Sequence, residues 1–212
     1  MKDLDIIYPG MLRLYSDCPL KFYWRYKEQL SVPILDKNFS VGKNLHALAS
    51  YYLKNENIDK FEAVLTEKER EFWLFLKSNK YFNYSNSGVE RNIISRIGEY
   101  WIGGRIDAIM RDSERFYILD YKTGGVKDDM IYDFQTMVYC LLFESYTEGK
   151  YPFSFIYLDL KNKREVRIDY NQILNKEYKD RILKLCDDME NFSRKNFTKP
   201  QKCVCEYAKI CE

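Results

Sequence analysis

The sequence predicts one α/β domain with a central mixed sheet flanked by helices. Apolar residues recur with helical spacing before residue 79 and again in residues 128–146 and 172–192. Alternation typical of strands fills residues 89–122 and 153–170. Helices on both sides of a run of strands are typical of a layered α/β arrangement. The chain has 212 residues, which leaves room for a single domain of this kind over residues 1–212.

The N-terminal part of the chain is predicted to be helical. Residues 10–30 have a helical rhythm that breaks at Cys18, before a proline. Proline lacks an amide N–H and restricts the residue before it, so we expect two short helices here. A third helix is expected over Val41–Leu53, and a longer amphipathic helix over Ile58–Ser78.

The period then changes to that of a sheet. Residues 89–110 and 115–122 alternate and are rich in β-branched and aromatic side chains, with a turn at residues 112–114. This pattern predicts a three-stranded meander. The elements expected after it are a helix over Asp128–Tyr146, a hairpin over residues 153–170, a helix over Gln172–Phe192 and an irregular tail that carries cysteines.

Composition and charge exclude several classes of protein. Hydrophobic residues make up 46% of the chain and charged residues 31%, which is too apolar for a disordered chain. The net charge is only +2, so any nucleic-acid footprint must be local. The longest apolar run, Met137–Phe143, is far shorter than the ~20 residues of a membrane span, and we expect a soluble, cytoplasmic protein with no membrane partner. No phosphate-binding loop motif of ATP-driven motors occurs.

The main chemical signal joins Asp107, in the motif GRID, to Asp120 and Lys122 in the motif DYK. Residues two apart share one face of a strand, and a neighbouring antiparallel strand can bring Asp107 alongside. Two carboxylates suit Mg2+ or Mn2+, and a lysine beside the cation can orient water and stabilise phosphoryl charge. A solvated surface hairpin is the alternative interpretation. Asp120 follows the apolar run Phe116–Leu119, where an unpaired acid is costly, and this favours a buried role.

A helical pair follows the DYK motif. Gln135 and Tyr139 are four residues apart and point the same way, although a boundary glutamine and a core tyrosine would explain them equally. GRID, LDYKTG and QTMVY together resemble the RecB-like branch of the PD-(D/E)XK nuclease superfamily, over residues 11–212. The resemblance implies a restriction-endonuclease-like core and metal-dependent DNA cleavage. It also implies that Gln135 and Tyr139 contact the DNA backbone near the scissile phosphate.

The resemblance extends to residues 41–46, VGKNLH, which look like the glycine-then-histidine helix of the family. It implies that His46 is a ligand of the catalytic metal together with Asp107 and Asp120, and that Tyr121 offers its backbone carbonyl. A lone helical histidine is more often a core residue. Its position ahead of the other motifs, as the one histidine of the chain, favours the ligand interpretation.

Four cysteines form a second group. Cys203, Cys205 and Cys211 lie within nine residues of the tail and Cys18 lies near the other end, so a shared iron-sulfur cluster or zinc ion would join the two ends. The arrangement looks like the iron-sulfur nucleases of the same branch, which include a CRISPR-associated adaptation nuclease. This resemblance implies a 4Fe-4S cluster, with zinc as the less favoured occupant.

The cysteine pattern departs from that of those nucleases. The tail reads C-x1-C-x5-C, with Lys202 where the first cysteine is expected, so Cys203 is the least secure ligand. We expect a nuclease core over residues 41–170, with residues 10–30 and 171–212 forming a cluster-bearing lobe. Cys140 and Cys186 fall in apolar stripes and are predicted to be small buried hydrophobes.

The function predicted from these observations is a metal-dependent DNA exonuclease acting on single-stranded ends. CRISPR spacer acquisition, with an integrase or helicase partner, is the expected setting. The alternatives are a RecB-like repair or phage-type exonuclease, a non-catalytic iron-sulfur DNA-binding subunit and a zinc-stapled interaction module. Residues 21–27 interleave basic and aromatic side chains and could stack single strands, but burial of the aromatics is the favoured interpretation.

Overall fold

A five-stranded mixed sheet forms the centre of the computed structural model, which describes residues 6–30, 40–197 and 205–210. The strands lie in chain order across the sheet. The first three form an antiparallel meander, the third and fourth are parallel, and the last two are antiparallel. The predicted α/β class is confirmed. The strands are Ser85–Ile97 (β1), Tyr100–Arg111 (β2), Phe116–Lys122 (β3), Phe153–Asp159 (β4) and Arg164–Asp169 (β5).

Helices cover both faces of this sheet. They are Pro9–Asp17 (α1), Pro19–Phe22 (α2), Ser40–Leu53 (α3), Asp59–Ala63 (α4), Glu67–Ser78 (α5), Phe134–Tyr146 (α6) and Gln172–Glu190 (α7). The break between α1 and α2 falls at Cys18, as predicted. A π-helical segment, Tyr23–Lys27, continues α2. Among the described residues, no helix has both the length and the apolar character to cross a membrane.

Several predicted boundaries are wrong, and local capping explains two of them. The helix predicted over residues 58–78 is divided into α4 and α5 because Thr66 starts a new helix: its side chain and that of Glu69 form a reciprocal capping box. Helix α6 begins at Phe134 rather than Asp128, since the Asp133 carboxylate accepts a hydrogen bond from the Gln135 N–H at 2.9 Å. Helix α7 ends at Glu190 and strand β1 begins at Ser85, before the predicted start.

The two faces of the sheet form separate apolar cores. On one face, α6 and α7 pack with Ile118 and Phe155 of the sheet. Leu12 of α1 and Phe22 of α2 are completely buried in this same core, so the N-terminal helices share it with α7. On the other face, α3 and α5 pack against the strands around residues such as Tyr121. Apolar burial on both faces therefore fixes α3 and α6 over opposite sides of β3.

The loop that follows β3 is tied to β4 by Asp159. This carboxylate is fully buried and accepts hydrogen bonds from the Val126 N–H at 3.0 Å and the Asn162 side chain at 2.7 Å. Burial alone would raise the pKa of Asp159, but these hydrogen bonds and that from Arg164 outweigh it and hold the pKa below its usual value. The chain after Lys122 is thereby held against the sheet.

Candidate active site

Asp107 and Asp120 lie side by side on adjacent strands. The antiparallel ladder of β2 and β3 ends at the pair of Ala108 and Leu119, and Asp107 and Asp120 are the residues that adjoin this pair. Both carboxylates are buried, with exposed fractions of 7% and 1%. The Asp107 Oδ2 atom accepts a hydrogen bond from the Tyr121 N–H at 3.1 Å. The structure thus brings together the two acids that the strand pattern placed near each other.

The strands are irregular where these acids lie. Ile106 contacts the core on the α6 side, whereas Ala108 packs on the α3 side, so the strict alternation of β2 breaks at Asp107. On β1, Glu90 has a φ of 50°, in the left-handed region that non-glycine residues rarely adopt. The register places Glu90 opposite Asp107, because the flanking residues Val89 and Arg91 pair with Ala108 and Ile106. The distortion lets Asp107 bond to both Tyr121 and α3.

His46 reaches this site from α3. Its Nδ1 atom lies 3.2 Å from Asp107 Oδ1, and its Nε2 atom lies 3.0 Å from the backbone carbonyl of Tyr121, to which a protonated nitrogen donates. Burial works against the charged imidazolium, but the hydrogen bond and charge of Asp107 outweigh it and raise the pKa of His46. His46 therefore contacts both Asp107 and the Tyr121 carbonyl.

Lys122 and Gln135 hold Asp120 from the other side. The Lys122 ammonium lies 2.9 Å from Asp120 Oδ2 and donates to Gln135 Oε1 at 2.7 Å, while the Gln135 amide donates to Asp120 Oδ1. Burial raises the pKa of Asp120, an effect that Lys122 reduces and the charge of Asp107 reinforces. Asp120 Oδ2 is buried and accepts no well-aligned hydrogen bond from the described residues. The Lys122 ammonium is the cation that this oxygen pairs with.

Gln135 and Tyr139 lie on α6 beneath the carboxylates. The Gln135 amide is engaged by Asp120 and Lys122, and Tyr139 is 8% exposed, bonded to Gln135 and packed under the glycine of the GRID motif. A Cβ atom at Gly104 would lie 2.6 Å from Tyr139 Cε1. The glycine is needed for this close approach. Gln135 is half-buried and Tyr139 is buried beneath the site.

We expect Gly104→Ala to lower both stability and activity. The added methyl group overlaps Tyr139 and Leu142, so relief of the overlap costs about 1–3 kcal/mol and displaces the tyrosine beneath the site. Thermal denaturation and a cleavage assay measure the two effects. Gly10→Ala is the matched control, since a Cβ there meets no atom within 4 Å and should change neither. Full stability and activity of Gly104→Ala would show that Tyr139 tolerates displacement.

One group of described side chains can hold a metal ion. It consists of His46, Glu90 and Asp107, whose ligand atoms all lie within 4.8 Å of one another. Glu90 was not singled out from the sequence; its Oε2 atom pairs with Arg105 Nε at 2.8 Å. Asp120, which the resemblance implied to be a ligand, lies outside this group, and Gln135 and Lys122 contact its carboxylate. An imidazole and carboxylate oxygens form a donor set suited to Mg2+ or Mn2+.

A basic groove opens beside these residues, between α3 and strands β1 and β2. Its volume is about 640 Å3. Lys43, His46 and Lys54 line it from α3 and the residue that follows α3, and Glu90 and Arg105 line it from the strands. The site is therefore a buried carboxylate pair at the edge of an open, cationic groove, which suits a phosphodiester substrate.

Comparison with known proteins identifies the family. A family model of the PD-(D/E)XK nuclease superfamily matches residues 9–212. The chain belongs to this superfamily. Its fold is similar to the crystal structure of a Eubacterium rectale protein described as a "putative exonuclease", with a TM-score of 0.55, 12% identity and coverage of 94% of this chain and 91% of that one.

A second solved structure, of SSO0001, is less similar. It has a TM-score of 0.44 and 18% identity, with coverage of 90% of this chain and 77% of that one. No protein of curated function matches the chain. The comparisons thus give the superfamily and its fold.

Of the four cysteines predicted to hold a cluster, two lie within the residues that the structure describes. Cys18 and Cys205 pack against one small apolar cluster of Leu20, Trp24 and Tyr207. Cys203 and Cys211 lie outside the described residues. Within the ranges that the structure describes, no cysteine belongs to a group that can hold a metal. The remaining two, Cys140 and Cys186, are completely buried, as predicted.

The basic and aromatic segment at residues 21–27 is not an open stacking surface. Phe22 is fully buried and Trp24 is 8% exposed, while Lys21 pairs with Glu206 at 2.9 Å. The favoured interpretation, burial of the aromatics, therefore agrees with the structure for these two residues.

Proposed function

We propose that this protein is a metal-dependent DNA exonuclease of the RecB-like type that acts on single-stranded ends. The observation that carries the proposal is the convergence of His46, Asp107, Asp120 and Lys122 at the edge of a basic groove. Membership of the PD-(D/E)XK superfamily supports a DNA substrate. The site residues follow from the motifs and from this geometry.

The donor set fits Mg2+ or Mn2+. His46, Asp107 and Asp120, with the Tyr121 carbonyl, would hold the cation, and the burial of the two carboxylates on adjacent strands supports this assignment. Glu90 adds a carboxylate within reach of His46 and Asp107. A divalent cation bound there supplies Lewis acidity for the scissile phosphate and lowers the pKa of bound water.

Lys122 is the residue that acts on the reacting atoms. Its ammonium is held between Asp120 and Gln135, and the side chain is 33% exposed, so it is both oriented and partly open to solvent. From this position it orients the attacking water and offsets the negative charge that accumulates on the phosphoryl group. Gln135 and Tyr139 position Lys122 and Asp120 from beneath.

Digestion of matched DNA forms tests the proposed specificity. With Mg2+ or Mn2+ present, we expect a linear single strand to be degraded from an end, whereas a circular single strand of the same sequence persists. A blunt duplex should be cut more slowly than the linear strand. Equal degradation of circular and linear strands would replace the exonuclease assignment by an endonuclease one.

The proposed setting is CRISPR spacer acquisition, with an integrase or helicase partner that presents DNA ends. The cysteine arrangement and the compact order of the nuclease motifs support this choice over a repair or phage-type exonuclease. Co-purification with an integrase encoded beside the gene is the test. Association with a recombination helicase instead would favour the repair role.

We also propose a 4Fe-4S cluster held by Cys18, Cys203, Cys205 and Cys211. The packing of Cys18 and Cys205 against the same three side chains supports it. Such a cluster would restrain chain segments that are far apart in sequence and so stabilise the fold. Residues 1–212 would then be one nuclease domain, joined at its ends by the cluster.

We expect Cys18→Ser to remove bound iron and to lower the melting temperature by several degrees. Iron analysis and visible absorption measure the first effect, and thermal denaturation the second. Cys140→Ala is the control: it cuts into the apolar core and lowers stability, but it should retain iron. An unchanged iron content in Cys18→Ser would reject Cys18 as a ligand. Zinc instead of iron in the wild-type protein would show that the cysteines hold a zinc ion and not a cluster.

A further inference from the structure

One face of α3 forms a wall of the groove, and His46, a proposed metal ligand, lies on this face. The residues on this face recur at helical spacing: Gly42, Lys43, His46, Ala47, Ser50, Tyr51 and Lys54. The opposite wall contains Glu90, Arg105 and Thr123. Since His46 is one of the proposed metal ligands, a strand lying in the groove would have a phosphate at the site and further nucleotides along the helix.

The cations of the groove are available to phosphates. Lys43 and Lys54 are exposed and make no ion pair with any residue in the described ranges. From His46 to Lys54 the helix rises about 12 Å at ~1.5 Å per residue. That length corresponds to about three nucleotides at the ~3.4 Å spacing of one strand in a duplex. The two lysines are therefore placed to contact the phosphates of a short segment of DNA backbone.

An aromatic ring stands at the far end of this face. Phe61 stacks on the groove residue Tyr51, with ring centroids 4.9 Å apart and an interplanar angle of 25°. Phe61 nevertheless remains 42% exposed, and no residue of its short helix α4 is buried. The tyrosine supports one face of a ring that the apolar cores do not cover. A stacked and partly open aromatic beside lysines is the combination that binds unpaired bases.

We propose that this groove binds single-stranded DNA, with a base stacked on Phe61 and the backbone paired with Lys43 and Lys54. This inference rests on the proposed nuclease function. It names the side chains that would bind a single-stranded substrate. A paired base within a duplex is covered on both faces by its neighbours, so it cannot stack on Phe61 without leaving the helix. The ring therefore favours a single strand over a duplex.

Fluorescence anisotropy without cleavage tests the stacking contact. The probes are a labelled 12-nucleotide oligo(dT) and a duplex of equal length, both in excess EDTA. Phe61→Ala should weaken binding of the single strand by at least fivefold, since stacking contributes about 1–3 kcal/mol per base, and should leave duplex binding unchanged. Trp101→Ala is the matched control, because Trp101 is 53% exposed on β2 and lies outside the groove.

A salt titration tests the backbone contact independently. Lys54→Gln should reduce the slope of log K against log salt by about 0.7. Lys179→Gln should not, since Lys179 is an exposed lysine of α7 that lies outside the groove. Unchanged single-strand affinity in both Phe61→Ala and Lys54→Gln, equal losses for single strand and duplex, or no DNA binding by the wild type would each overturn the proposal. In the first two cases, cleavage by the wild type would show that the nuclease assignment survives.

Discussion

Lys122→Met is expected to reduce DNA cleavage by about a hundredfold to a thousandfold, the usual loss when one donor to transition-state charge is removed. The methionine keeps most of the side-chain volume but places no ammonium between Asp120 and Gln135. Because the lysine acts on charge that develops during the reaction, kcat should fall while KM changes little. Steady-state cleavage of labelled oligonucleotides measures both constants.

Lys127→Met is the matched control for that variant. Lys127 is exposed, lies on the loop that follows β3 and makes no ion pair with a described residue. Its substitution should leave kcat within about twofold of the wild type, because surface changes away from a site have small effects. A Lys122→Met enzyme that cuts as fast as Lys127→Met would remove Lys122 from the mechanism.

Asp120→Asn is expected to abolish cleavage and to remove stabilisation by metal. The amide fills the same buried space but lacks the charge that a divalent cation requires. In the wild type, stability should rise by about 1.4 kcal/mol for each tenfold increase in Mn2+ above its dissociation constant. In Asp120→Asn the melting temperature should not respond to Mn2+. Thermal denaturation across a Mn2+ series, with and without EDTA, makes the comparison.

Asp159→Asn supplies the control, because Asp159 is equally buried but bonds only to protein groups. Loss of its charged hydrogen bonds should lower stability by about 2 kcal/mol. Its response to Mn2+ should remain, since the proposed ligands are unchanged. The two variants thus separate loss of metal from loss of folding. A full Mn2+ response in Asp120→Asn would exclude Asp120 from the metal site.

The sheet was predictable because its strands carry strong local patterns. The alternation of residues 89–122 predicted the meander that β1, β2 and β3 form. Helix boundaries were less predictable, because the reciprocal cap of Thr66 and Glu69 and the cap at Asp133 set them through side-chain hydrogen bonds. Apolar periodicity contains no information about such contacts.

The site was predictable where its residues belong to short motifs. Asp107, Asp120 and Lys122 follow from strand spacing, and His46 follows from the family resemblance. Glu90 could not be found in this way, because its place beside His46 depends on a left-handed backbone within β1. The hydrogen bonds by which the Gln135 amide bridges Asp120 and Lys122 could not be predicted from helical spacing, because they depend on how α6 packs over β3.

Metal dependence of DNA hydrolysis is the most direct test of the central claim, that His46, Asp107 and Asp120 hold a catalytic cation beside Lys122. The measurement is release of nucleotides from an end-labelled single strand, first with Mg2+ or Mn2+ and then with excess EDTA. We predict digestion that requires the cation, stops on chelation and resumes when Mn2+ is restored. Undiminished digestion in excess EDTA would contradict the account.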